Sequence, residues 1–95
     1  MNEMEKLIVC LETLKIPHEI TQMTLFDNKP QIWYPNQKEK VMDVICHKYS
    51  YGGEEELLEI MGLLTPEEER CDDVVGYLTA ENVLGRIIKH REKGV

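Results

Sequence analysis

The amino-acid sequence predicts an α+β domain: an N-terminal helix, a three-stranded antiparallel sheet, then two to three helices packed on one face. Three observations carry this. The first 15 residues hold an apolar stripe at helical spacing. Residues 18–47 alternate short β-branched and aromatic runs with turn residues. From Glu54 onward, helix starts and apolar stripes return. Helices separated in this way from a block of strands point to an antiparallel sheet with helices on one side. A chain of 95 residues makes one domain, 1–95.

Residues 2–15 carry Met4, Leu7, Ile8, Leu11 and Leu14 on one helical face. Asn2 and Glu5 form a capping-box pattern. Ile16 precedes Pro17, which disfavours further helix. Residues 18–36 predict a hairpin, with Asp27, Asn28 and Lys29 as its turn. Its second strand, Gln31 to Tyr34, is bracketed by Pro30 and Pro35. Proline cannot donate to a ladder, so this strand is expected at an edge. Val41 to His47 predicts a third strand, apolar on both faces and therefore central. A helix over 38–47 competes with that reading.

Gly52 and Gly53 break the chain before Glu54, Glu55 and Glu56, which suit a helix N-terminus. Leu57, Leu58, Ile60, Met61 and Leu64 then predict a helix that ends near Gly62. Thr65, Pro66 and Glu68 announce another helix start, followed by an extended or irregular piece through Gly76. Thr79 caps a final helix with its stripe at Ala80, Val83, Leu84, Ile87 and Ile88. Lys89, His90, Arg91 and Lys93 end it and Gly94 stops it.

Composition bounds the function. Hydrophobic residues make up 42% and charged residues 31%, as in ordinary globular domains. No apolar run approaches the roughly 18–20 residues that cross a bilayer. Glu3, Glu5 and Glu12 interrupt the N-terminus, so no signal peptide is expected. Cys10, Cys46 and Cys71 are far apart and predict reduced thiols in a cytoplasmic protein. The net charge is −7, and it is uneven. Glu54 to Asp73 holds nine acids and one base, while the rest of the chain sums to +1. Such a segment repels polyanions, which disfavours nucleic acid. Only the C-terminal Arg86, Lys89, Arg91 and Lys93 offer an opposing basic patch. The acidic segment is either a solvated face or a surface for a basic partner.

Motifs for chemistry are sparse. His18, His47, His90 and the cysteines form no metal-ligand spacing, and no metal or cofactor is expected. Asp43 could stand first in a carboxylate pair for Mg²⁺, but no Glu-x-Lys or Gln-x-Lys follows. Ser50 lies near His47 without a G-x-S-x-G elbow, so a turn or capping role suits it. Gly52 and Gly53 precede a possible helix start, but three glutamates there repel phosphate. Trp33, Tyr34, Tyr49, Tyr51 and Tyr77 hold nearly all the aromatic content. Tyrosine and tryptophan are favoured interface anchors. The candidate binding residues are therefore Trp33, Tyr34, Tyr49, Ser50, Tyr51 and Gly52. They would serve a protein partner or self-association. A small enzyme or ligand site is the competing reading, with Asp43, His47, Ser50 and Tyr51 converging near the 49–53 loop. A weak nucleic-acid site on the basic C-terminal helix is the third.

Several phrases stand together: Ile16-Pro17-His18-Glu19-Ile20, Gln31-Ile32-Trp33-Tyr34-Pro35-Asn36, Val41-Met42-Asp43-Val44-Ile45, Ser50-Tyr51-Gly52, Leu57 to Leu64, and Gly76-Tyr77-Leu78-Thr79-Ala80-Glu81. In these the chain resembles small uncharacterised proteins encoded in phages and prophages of Gram-positive (Firmicutes) gut bacteria, from about residue 14 to residue 88. The resemblance implies an accessory phage protein of the bacterial cytoplasm. It brings no catalytic residue with it.

Overall fold

A computed structural model describes residues 1–93. Helix α1 (Glu3–Thr13) is followed by strands β1 (Glu19–Met23), β2 (Lys29–Tyr34), β3 (Met42–Ile45) and β4 (Leu58–Met61). A short helix α2 (Pro66–Cys71), strand β5 (Val74–Leu78) and helix α3 (Ala80–Lys93) complete the described residues. The five strands form one sheet in the order β1-β2-β3-β4-β5, each pair antiparallel. The α+β class is as the sequence predicts. The sheet is wider than expected, with five strands instead of three.

The additional width comes from β4 and β5. Residues 57–64, expected as a helix, contain a strand. Leu58 and Ile60 are fully buried, while Glu59 and Met61 point the other way. That is a period of two. The glutamates before it form only a 3-10 turn, Gly53–Glu55. Glu56 then adopts φ 60° and breaks any helical continuation. Gly62, at φ 100°, ends the strand, and a side chain there would overlap the Val41 carbonyl. After α2 the chain is extended, as expected, and supplies β5.

Strand β2 is internal, not an edge. Pro30 is no obstacle, because the β2–β3 ladder begins only at Ile32↔Val44. Pro30 lies beyond that ladder and is flanked by β1 alone, opposite Gln22. β3 is the central strand, as its two apolar faces predict.

Helices α1 and α3 cover one face of the sheet. Met4, Leu7, Leu11, Ala80, Val83 and Ile87 pack there with Ile32, Tyr34, Met42, Val44, Leu58 and Ile60. The helix starts are well capped. Asn2 and Glu5 form the capping box of α1, and Thr65 and Glu68 that of α2. Thr79 Oγ1 accepts from the Asn82 N–H, and Asn82 Oδ1 from the Thr79 N–H. Glu3 Oε1 accepts from the Ala80 N–H at 2.7 Å, so one carboxylate in α1 also serves the start of α3. Arg86 of α3 reaches α2 through both Glu68 oxygens, at 2.8 and 2.7 Å, and bonds the Leu63 carbonyl at 3.0 Å. The Arg86 guanidinium and the Thr65 N–H hold the Glu68 carboxyl down to about 2. The predicted Gly94 stop lies outside the described residues.

Candidate interaction surface

The face opposite the helices is built by the alternate residues of the same strands. Residues directly paired across a ladder share a face. Glu19 pairs with Trp33, Trp33 with Asp43, Asp43 with Met61, and Met61 with Val74. These five side chains make one row across all five strands, stepping about 4.8 Å per strand. Among the described residues, no helix covers this face from β2 to β4, where α1 and α3 bury its opposite; at β1 even the helix-side Ile20 is 43% exposed. Met61 is 44% exposed, and Trp33, Thr21, Gln31 and Ile45 are half-buried.

The centre of the row is polar and tightly organised. Trp33 Nε1 donates to Thr21 Oγ1 at 2.8 Å, which lays the indole along β1. Asp43 is only 8% exposed. Its Oδ2 accepts from Gln31 Nε2 at 2.8 Å. Lys40 Nζ stands 3.0 Å from Oδ1, yet Oδ1 receives no directed hydrogen bond. We take this as an ion pair by proximity, with the ammonium off the lone-pair direction. The same ammonium lies 5.7 Å from the Trp33 ring centre and 3.6 Å from Met61 Sδ. A cation at that distance from an indole is attracted by the ring quadrupole. Lys40 ends the polar turn between β2 and β3. Gln37 ties this turn to β1, its N–H and side-chain amide both donating to Glu19. These bonds hold the Glu19 carboxyl below the usual carboxylate range.

The six residues singled out from the sequence do not form one patch. Trp33 belongs to the row. Tyr34, the next residue, faces the helices and is buried, its hydroxyl 2.8 Å from His90 Nδ1. Ser50 is buried in the turn after β3. Its Oγ donates to the His47 carbonyl at 2.8 Å and accepts from the His47 N–H at 3.0 Å. Gly52 has φ 88° and packs against the Tyr77 backbone, where no side chain fits. Tyr51 is half-exposed and crosses Gly76 of β5. Its N–H donates to Glu59, on the open face, and its hydroxyl to Asp72. Tyr49 is exposed and meets Phe26 and His47 edge-on. Ser50 thus bonds only the His47 backbone, while Asp43 bonds Gln31 and Tyr51 bonds Glu59 and Asp72, so the four share no common polar centre.

A cleft of about 550 Å³ lies where the start of α1 meets the β1–β2 hairpin tip. His47 stacks on Phe26 at its rim, with ring centres 3.8 Å apart. His47 Nδ1 accepts from the Tyr49 N–H at 3.1 Å, which assigns the ring proton to Nε2. Cys46 lines the same cleft, and burial pushes its thiol up, away from the reactive thiolate. Among the described residues no group of three or more His, Cys, Asp or Glu side chains converges on a metal position. No helix there is long and apolar enough to cross a membrane.

The sequence reading missed Lys40 and Phe26. Lys40 lies in a turn without periodicity, and its place over Trp33 depends on the β2–β3 register. Compared with protein-family models, with curated proteins and with solved structures, the chain finds no match in any of the three.

Proposed function

We propose that this protein is an interaction module, an accessory protein of phage origin that works in the bacterial cytoplasm by binding another protein or a second copy of itself. The open sheet face supports this reading. One observation carries it: the row Glu19–Trp33–Asp43–Met61–Val74 places a tryptophan and an exposed methionine on a face that no core-packing helix covers. Aromatic and methionine side chains within a polar rim are what protein interfaces use as anchors. Met61→Lys tests it. Exposed as it is, Met61 tolerates a charge without loss of fold. The variant is expected to lose a partner that the wild type retains in affinity purification, or to turn a self-associating chain monomeric in sedimentation. Identical binding by the two proteins, or a wild-type chain that is monomeric and partnerless, overturns the reading.

A second reading rests on the cleft beside the 47–53 loop, whose volume falls in the range of small-ligand sites. It expects a small molecule that raises the melting temperature of the wild type and fails to do so for His47→Ala. The basic C-terminal helix offers less to nucleic acid than its sequence promises, because Arg86 is committed to Glu68.

A further inference from the structure

The Trp33–Lys40–Asp43–Met61 cluster is more elaborate than an ion pair requires. It combines an aromatic face, a buried carboxylate and a thioether around a single ammonium. Each of the three attracts a cation, and none of them is near another cation in the row. Lys40 fills the position imperfectly. Its side chain is one-third exposed and belongs to a turn instead of a strand. It leaves Asp43 Oδ1 without a directed hydrogen bond in a residue more than nine-tenths buried. A carboxylate oxygen there gains from any donor that can be aligned with it.

Building on the reading of this face as a protein-binding surface, we infer that the space between Trp33, Asp43 and Met61 is a receptor for an arginine side chain of the partner, and that Lys40 occupies it in the free protein. Arginine suits the site better than lysine. Its planar guanidinium stacks on an indole, is weakly hydrated, and presents several N–H groups in fixed directions. One of these can meet Oδ1 while Gln31 keeps Oδ2. Charge favours the same partner. The chain carries −7, and Glu19 and Glu59 lie on the same face as Asp43. Lys40 then acts as a built-in competitor that lowers the apparent affinity by the fraction of time it fills the site.

Trp33 is the only tryptophan, so its emission reports directly on the site. The probe is a capped tri-arginine peptide titrated at low salt, beside tri-lysine and tri-glutamate peptides. Lys40→Ala is expected to bind tri-arginine about tenfold tighter than the wild type, as removal of a competitor that fills the site about nine-tenths of the time requires. Lys40→Ser, a short side chain suited to a turn, gives the same result if the alanine variant folds poorly. Tri-lysine binds more weakly, and tri-glutamate does not bind. Adding Asp43→Asn to the Lys40 variant abolishes the gain. The inference is overturned if the Lys40 variants bind no tighter than the wild type. It is equally overturned if the Asp43→Asn double variant binds as well as its parent, which would place the peptide on the acidic 54–73 segment. In either case the Met61→Lys comparison stands apart. A partner lost in that variant keeps the interaction surface and removes only the arginine receptor.

Discussion

The two faces of the sheet are made by alternate residues of the same strands, yet they are held by different forces. On the covered face, Ile32, Val44, Leu58 and Ile60 are fully buried against α1 and α3. Their contribution is the ordinary gain from removing apolar surface from water, roughly 1.5–3 kcal/mol for each side chain of this size. On the open face, the central side chain of the row is a carboxylate. Asp43 is almost as buried as its neighbours, but beside it stand a tryptophan, a glutamine amide and a lysine ammonium. A polar cluster of this kind adds little to stability, since its internal bonds mostly replace bonds to water. The difference teaches where to look for function. The covered face is explained by folding alone, and the open face is not.

The largest expected effect separates the two faces at adjacent residues. Ile60→Ala is expected to destabilise the fold by about 2–5 kcal/mol. Met61→Ala is expected to stay within about 0.5 kcal/mol. Urea unfolding midpoints measure both, and equal losses would break the comparison. Next comes Ser50→Ala. It removes the acceptor of the half-buried His47 N–H, at a cost of about 1–3 kcal/mol. If the 49–53 loop is structural, this loss leaves binding at the open face unchanged.

A smaller effect concerns the tie between α2 and α3. Arg86→Met is expected to cost about 1 kcal/mol at pH 7, a figure reduced for solvent screening of a quarter-exposed pair. Glu68 is held below its unfolded value, so this contribution is present above about 4.5 and lost as the pH falls towards 2. The melting temperatures of wild type and variant should therefore converge across that acid window. A constant gap would show that the guanidinium acts through packing. The smallest effect is kinetic. Iodoacetamide is expected to label exposed Cys71 well before Cys46, whose thiol is pushed up by burial. Equal rates would mean the cleft around Cys46 opens readily.

Much of the fold was legible because its elements have strong ends. The capping boxes at Asn2 and Thr65 and the apolar stripes of α1 and α3 are local signals, and they survive folding unchanged. Strand β4 was not legible. Leu57 to Leu64 is apolar at both helical and alternating spacing, and four strand residues are too few to separate the periods. What decided it was the left-handed turn at Glu56, which nothing in the glutamate run announces. On the candidate surface, the aromatic pattern groups Trp33 and Tyr34 together, while the strand places Trp33 in the open-face row and buries Tyr34. Alternation in a strand sends neighbours to opposite faces, so the two could never share a patch. Lys40 was invisible for a different reason. Asp43 is only three residues on, but Met61 is 21 away and Trp33 is brought beside them by the β2–β3 register, so no local pattern records the cluster.

The bond between Glu3 and the start of α3 has a consequence for synthesis. It joins residues 77 apart, and the two helices it links form one layer over the sheet. At ribosomal rates α1 therefore waits on the order of 4–15 s before its partner helix exists. During that interval β1 to β5 can zip in sequence, each strand beside the one just made. The apolar stripe of α1 has only the growing sheet to lie on. The meander acts as a temporary shelter for the first helix, and the last helix closes it.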